Sequence, residues 1–458
     1  MYISKVELKN IRGIGPKGLT FDLAKQPIGE RGTMAGWNVV AGPNGSGKST
    51  FLQGMAAALL GGSGMAWLLR PVDRMDWIHR GRGEPSHTDA GSTCAWVEAG
   101  VDDDLPRRER RLEPVPLRVE WTRDPSSGPR TLPPDGDHSF VIRHFWNASS
   151  YGTRPDGWLF AAYGASRGNR RSSPDAAELF KGAPRTAAVV TLFREDAALE
   201  TASIWLMGME LNASRSNAHA VELRDGLLRL LGHGLLVADT QTPMRVESEG
   251  LEVQWNGGWQ VTRLLGDGNH AVLALVLDLL QRIEQFKPGF LLHDILTWEP
   301  SPDADVGVTI SGTVVIDEPE MHLHPELQQR LGFWLKRHFP NIQFIVTTHS
   351  PFICQAADPG GLFRMPSLKK FAPADAETWA NVANGTLDDA VVSALFGMEH
   401  AQSQESVMRR RRFAELEVSR RRRALSAADE QEHRRLAREM PQDPNYEIDT
   451  LVRGLLKK

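Results

Sequence analysis

The chain has 458 residues, 41% hydrophobic and 24% charged, with a net charge of −4, which accommodates two or three domains or one large domain with insertions. Two cysteines, Cys94 and Cys354, exclude a disulfide framework and point to a reducing compartment. No apolar run reaches 18 residues and the N-terminus lacks a signal-peptide core, so a cytoplasmic protein without membrane contact is expected.

Met1–Asn10 reads as an edge strand with one polar face, followed by a strand at Leu19–Leu23. Between them, Arg12 either folds back toward the next motif or stays on the surface. Trp37–Ala41 suits a buried parallel strand, and Thr50–Leu60 a helix. Gly61–Gly91 is read as irregular. Strands are expected at Cys94–Val101, Leu117–Thr122 and Phe140–Trp146, joined by Pro/Gly/Asp-rich connectors such as Pro125–Asp137 and forming an antiparallel subdomain. Trp158–Arg167 is a further apolar run ending in a polar turn. Pro184–Leu236 carries apolar residues at helical spacing, among them Leu206, Met209, Leu227 and Leu230, and is read as a helical subdomain. Asn256-Gly257 predicts a hairpin turn within Leu251–Val261. Gly266-Asp267-Gly268 opens a strongly apolar helix within Leu264–Phe286. Thr313–Ile316 and Gln343–Thr348 are buried strands on either side of a helix, Pro325–His338, which together make a parallel βαβ unit. The tail, Ala401–Met440, is polar and helical in pattern, with i,i+4 pairs Glu417–Arg421 and Glu430–Arg434.

The residues with chemistry sit at the strand ends. Gly42, Pro43, Asn44, Gly45, Ser46, Gly47, Lys48 and Ser49, followed by Thr50, complete the phosphate-binding pattern G-x-x-x-x-G-K-[ST] between a strand and a helix. The glycines let backbone N–H groups converge on a phosphate, and the helix N-terminus adds partial positive charge. Lys48 is assigned to the β- and γ-phosphates, and the Ser49 hydroxyl to Mg²⁺. Asp317 ends an apolar strand, where an acid can hold Mg²⁺ opposite Ser49. Glu318 would point the other way in extended backbone and orient an attacking water. His349 ends the neighbouring strand, either sensing the γ-phosphate or merely capping and packing.

VVAGPNGSGKST, VVIDEPEMHLHP and FIVTTHSPFI resemble the ATPase heads related to ABC, RecF and SMC proteins, over most of Met1–Met398. LLGDGNHAVLALVLDLL is similar to that family's signature segment, and WLFAAYGASR lies where a Q-loop-like element would. With LDDAVVSALFGM, the pattern most resembles compact AAA-type ATPases of prokaryotic anti-phage systems such as Septu, PARIS, retron-linked and OLD ATPases.

The resemblance implies an α/β P-loop NTPase of the ABC/RecF-like head type, with a mixed sheet core, an antiparallel β subdomain and a helical subdomain. It places the head at 1–398, as a phosphate-loop and β lobe (1–190), a helical and signature lobe (191–300) and a carboxylate and switch-histidine core (301–398), with a basic, mainly helical arm at 399–458. It implies ATP and Mg²⁺ as cofactors and a homo-oligomer in which two heads sandwich nucleotide. Gly266, Asp267 and Gly268 would then face the partner's γ-phosphate, and Leu323-His324-Pro325 would make a D-loop-like contact between heads. Gly266 stands where the family commonly has serine, which implies slow or partner-dependent hydrolysis. His322 and His324 are read as a surface pair rather than a zinc site.

No long heptad array separates the motifs, and no D-x-D follows His349, so no built-in nuclease is expected and an effector would be a separate chain. Arg409–Arg423 holds eight arginines against Glu415 and Glu417, and the arm is either a nucleic-acid or partner contact or a solvated face. Three functions follow: an ATP-hydrolysing sensor or scaffold of a defence complex, a RecF-like ATP-gated clamp on DNA in repair, or a nucleotide-binding scaffold with negligible hydrolysis.

Overall fold

The computed structural model describes residues 2–23, 35–69, 73, 76–78, 90–98, 114–122, 128–132, 159–168, 171–199, 201–215, 217–237, 240–297, 307–365, 372–396, 398, 402–422 and 425–439. The strand expected at Phe140–Trp146 lies outside them. The chain divides into two compact units, Met1–Leu387 and Asp388–Lys458.

The first unit holds β1 (Tyr2–Lys9), β2 (Leu19–Asp22), β3 (Gly36–Ala41), β4 (Ala90–Glu98), β5 (Val115–Thr122), β6 (Arg130–Leu132), β7 (Leu159–Tyr163), β8 (Met244–Glu247), β9 (Gly250–Trp255), β10 (Gly258–Val261), β11 (Gly312–Asp317), β12 (Ile342–Thr348), β13 (Leu362–Arg364) and β14 (Ala372–Pro373). They make an antiparallel sheet in the order β2-β1-β4-β5-β6, a three-stranded meander β10-β9-β8, and a central sheet β14-β13-β3-β12-β11-β7. The central sheet is parallel except for β14. β11 and β12 are buried along their whole length, as expected of strands covered on both faces. Mixed sheets and flanking helices make the unit α/β.

Between the two larger sheets runs the phosphate-loop helix, Lys48–Leu68, against β4, β5 and β6 on one side and β11 on the other. It is long and apolar enough to cross a membrane by length and composition, and here it is a core helix. The regular helix ends at Leu60, as the sequence predicts, because Gly61 is non-helical at φ 71° and ψ 173°; a further helical stretch runs to Leu68 across that kink, where the sequence reads as irregular. A Cβ on Gly62 would lie 2.2 Å from the Pro129 carbonyl oxygen. The Gly62 N–H donates to Thr131 Oγ1 at 2.7 Å, so the kink is tied to β6.

β1 is not an edge strand. It pairs with β2 on one side and β4 on the other, and only Lys9 is fully exposed. Its register shifts between Ile3 and Lys5, and there Gln343 of β12 takes over: its side chain accepts from the Ile3 N–H at 2.8 Å and donates to the Ile3 carbonyl at 2.9 Å. A buried amide thus copies a strand's hydrogen bonding and staples the two sheets together.

The helical lobe includes Thr201–Ser214 and Ala218–Gly232, with the apolar helix Asp267–Phe286 packed against Thr201–Ser214 and β7. Leu273, Val276, Leu280 and Ile283 give that helix its buried stripe, each worth roughly 1.5–3 kcal/mol of transfer free energy before entropy. The β9–β10 hairpin turns at Asn256 (φ 49°) and Gly257 (φ 84°), as their sequence predicts. Pro325–His338 forms as expected, with Leu327, Leu331, Trp334 and Leu335 buried.

The second unit contains two helices, Gln404–Arg422 and Ala427–Glu439. Phe413 stacks on His433 at 4.9 Å, and His433 also meets Glu417. Glu417 therefore turns to His433 and Arg420 rather than to Arg421, whereas Glu430–Arg434 pairs as expected at 3.5 Å.

Candidate nucleotide site

Four adjacent parallel strands end side by side in the order β3, β12, β11, β7, and each delivers one group. β3 leads into the loop with Lys48, β12 into His349, β11 into Asp317 and Glu318, and β7 into the turn Ala165–Gly168 with Arg167. Ligands of open α/β sheets bind at such carboxyl ends.

The loop's curl depends on Gly45 (φ 74°) and Gly47 (φ 94°), which occupy left-handed backbone. Gly42 lies against Met365, whose Cβ would sit 3.1 Å from any Cβ added there. Pro43, Asn44, Gly45 and Ser49 are exposed on the rim, Gly47 and Thr50 are half-buried, and the Ser46 hydroxyl is buried without a hydrogen-bond partner. Lys48 is buried at 5% exposure, and its ammonium donates to the carbonyls of Gly42 (3.0 Å) and Pro43 (3.2 Å) and lies 2.7 Å from His349 Nε2. Burial lowers its pKa, against the pull of Glu318, Asp317 and Glu320.

Asp317 is buried at the end of β11 and accepts a hydrogen bond from the Thr347 hydroxyl. Glu318 is not extended. Its φ of 45° starts a turn, at a strain of about 1–2 kcal/mol for a residue with a Cβ. Its N–H still reaches the Thr347 carbonyl at 3.1 Å, so the strand pairing runs up to the turn. The turn, not strand alternation, therefore aims its carboxylate, which lies 3.4 Å from His349 Nε2. Burial first, then Asp317 and Glu320, raise the Glu318 pKa.

Ser49, Asp317 and Glu318 line one cavity of about 560 Å³ with Arg12, Gln53 and the backbone around Gly164. A hydroxyl and two carboxylates are hard oxygen donors of the kind Mg²⁺ takes. Arg12 does fold back: it bonds Gln53, whose amide donates to the Leu192 carbonyl at 2.8 Å, and it lies 4.9 Å over the Trp77 ring. Gly266, Asp267 and Gly268 are not among that cavity's lining. Gly266 caps the Asp267–Phe286 helix, while Gly268 packs on the turn at His322, where a Cβ would meet the carbonyl oxygen at 2.5 Å. His324 caps the following helix, its Nδ1 accepting from the Glu326 N–H at 3.4 Å, and no group of three metal-ligating side chains occurs among the described residues.

Sequence reasoning missed several residues here. Glu320 accepts from the Thr348 hydroxyl (2.6 Å) and the His349 N–H (2.7 Å). Arg167, 3% exposed, donates to the carbonyls of Gly164, Asp317, Glu318 and Pro319. The signal available was polarity out of place: Thr347-Thr348 closing an apolar strand, and an arginine following one.

Two stretches match known families: residues 5–66 match "AAA domain", and residues 222–355 match "AAA domain, putative AbiEii toxin, Type IV TA system". The chain is 35% identical over 107 residues to the retron Ec83 probable ATPase of Escherichia coli, and 36% identical over 89 residues to the retron Vc95 probable ATPase of Vibrio cholerae. Those segments are 23% and 19% of this chain and only 17% and 15% of the relatives' own lengths. It is 46% identical to the Septu protein PtuA of Bacillus thuringiensis over 46 residues, 10% of this chain and 12% of that one. The chain thus carries AAA-type ATPase sequence and is homologous to retron ATPases and PtuA over these stretches. The SMC head domain from Thermotoga maritima aligns over 82% of this chain and 100% of its own, at 16% identity and a TM-score of 0.42.

Proposed function

We propose that the first unit binds Mg²⁺ and ATP at this site and hydrolyses the γ-phosphate, and that the chain is the nucleotide-controlled subunit of an anti-phage defence assembly acting with a separate effector. The observation that carries the catalytic part is the convergence of Lys48, His349 and Glu318 within 2.7 Å and 3.4 Å of one another at the strand ends. Homology to retron ATPases and PtuA supports the defence setting.

Lys48 moves its ammonium from the loop carbonyls to phosphate oxygens. Ser49 and Asp317 would hold Mg²⁺, with Thr347 fixing one Asp317 oxygen, and a bound ion would supply positive charge against the phosphates. Glu318 orients the attacking water and takes its proton, a role suited to a carboxylate whose pKa is raised. His349 faces the γ-phosphate. Two copies meet through Gly266–Gly268.

The catalytic test is phosphate release by the full chain and by Glu318→Gln. Hydrolysis should fall by ~10²-fold or more with nucleotide binding retained; a wild-type rate in the mutant removes the reading. The defence part is tested by phage challenge of cells carrying the chain with its neighbouring gene: protection should vanish with Lys48→Ala, and protection unchanged by it separates the two.

A further inference from the structure

We infer that Arg167 and Glu320 are positioning residues: together they hold the turn carrying Glu318 and the turn carrying His349 in register, and so set the gap between the two side chains. The inference rests on the proposed role of Glu318 and adds what fixes its aim.

Four carbonyl oxygens converge on one buried guanidinium. Nη1 donates to Gly164 (2.9 Å) and Asp317 (2.8 Å), and Nη2 to Glu318 (3.2 Å) and Pro319 (3.0 Å). Three successive carbonyls of the β11 turn are thereby tied to the end of β7. The tie spans the residue whose backbone is left-handed. A free turn would relax away from that conformation, so the guanidinium's bonds oppose the relaxation. Lysine cannot substitute: its three tetrahedral donors do not match four carbonyls lying about a planar fork.

Glu320 does the same for the next strand. One oxygen accepts from both the Thr348 hydroxyl and the His349 N–H, fixing the backbone from which the imidazole projects. Glu320 is the strongest of the carboxylates attracting Arg167, ahead of Asp317 and Glu318. Burial pushes the Arg167 pKa down to about 10, which leaves it charged at neutral pH. Its Nε and the second Glu320 oxygen are both buried without a hydrogen-bond partner, so charge attraction, not a direct bond, links the two. Behind the site lies a pair of opposite charges, each spending its hydrogen bonds on one of the two turns.

The test uses the full chain with Arg167→Lys, Arg167→Met and Glu320→Gln, alone and combined with Glu318→Gln. Each single variant should lose hydrolysis by ~10²-fold, the scale of a 1 Å misplacement, with ATP affinity within a few-fold of wild type. Combined with Glu318→Gln, none should reduce the residual rate further. Amide exchange at Met321, which donates to the Glu318 carbonyl at 3.1 Å, should speed up at least tenfold in Arg167→Lys. Losses that multiply in the double variants, or equal losses of affinity and rate, overturn the inference. Should Arg167→Met not fold, Arg167→Lys and Glu320→Gln decide it. If Glu318→Gln hydrolyses at the wild-type rate, the role of Glu318 falls, and the exchange rate at Met321 still decides whether Arg167 holds the turn.

Discussion

Lys48 and His349 meet 2.7 Å apart, Nζ to Nε2, across 301 residues of chain. An ammonium only donates, so a hydrogen bond between the two needs Nε2 as the acceptor, whereas the Glu318 carboxylate 3.4 Å from the same Nε2 only accepts. Phosphate oxygens only accept, so if a bound phosphate draws Lys48 away, Nε2 would bond that phosphate only once it carries a proton. Lys48→Ala should abolish tight ATP binding, because the loop's fixed cation is gone. His349→Ala should keep binding within a few-fold and lose hydrolysis by ~10²-fold. Calorimetry with Mg²⁺ separates the two, and equal affinities in wild type and Lys48→Ala would count decisively against the site.

With Glu318 as the proposed base, hydrolysis should show an acid limb. Its pKa is raised above the ordinary 4.5 by burial and by Asp317 and Glu320, and the working form is the carboxylate. Turnover should therefore fall as pH drops, through a value above 4.5. Stability runs the other way. A raised folded pKa means the contribution is fully present below the unfolded value and is lost as pH rises through the folded one. Glu318→Gln should accordingly melt higher than wild type at neutral pH and lose that advantage in acid. Thermal melts across pH 4–8 check the sign.

The left-handed φ of Glu318 separates strain from charge. Alanine keeps the strain and glycine removes it, while neither has a carboxylate. Glu318→Gly should be more stable than Glu318→Ala by about 1 kcal/mol, the reverse of the order expected in ordinary backbone. Denaturant midpoints give the comparison; the ordinary order would mean that the turn is not strained.

Two glycines of the signature segment behave differently. A Cβ on Gly266 meets nothing within 4 Å, whereas one on Gly268 collides with the His322 carbonyl. Gly266→Ala should leave the melting temperature within a degree or two of wild type, and Gly268→Ala should lower it. If a second copy's nucleotide docks at Gly266, the alanine variant should lose hydrolysis and ATP-dependent dimerisation while folding normally. Native mass with and without ATP checks this; intact dimerisation and rate would place the docking elsewhere.

Among the described residues, four of the eight arginines in Arg409–Arg423 are paired locally as follows. Arg409 pairs with Glu405, Arg411 with Glu415, Arg420 with Glu417, and Arg412 with Asp429 and Glu432. Arg421 and Arg422 are exposed at the helix end. A polyanion contact should therefore run through those two, and Gln at both should reduce the salt slope of DNA binding by about 2. An unchanged slope assigns the arm to a solvated face.

The phosphate loop, the carboxylate pair and the parallel βαβ unit were legible because each is local: a run of apolar residues, a motif at its end, a capped helix. The helical stretch beyond the Gly61 kink was not legible, since Gly61 and Gly62 read as breakers and the contact of Gly62 with Pro129 and Thr131 leaves no mark in the local sequence. Nor was the place of β1, whose alternating pattern resembles an edge strand until β2 and β4 pair with it. Arg167 stood inside a stretch singled out for its likeness to a Q-loop, yet its role lies in carbonyls 150 residues away, and carbonyls leave no mark in a sequence.

The strand order β3-β12-β11-β7 also governs when the site can exist. In space the groups run Lys48, His349, Glu318, Arg167; along the chain they run Lys48, Arg167, Glu318, His349. β12 pairs between β3 and β11, so it is inserted into the middle of the sheet after both have been synthesised. Pairings of such sequence separation form slowly. A chain still emerging from the ribosome carries a complete phosphate loop but neither the central strand nor its histidine. The topology thus withholds the assembled site from incomplete chains until β12 is in place.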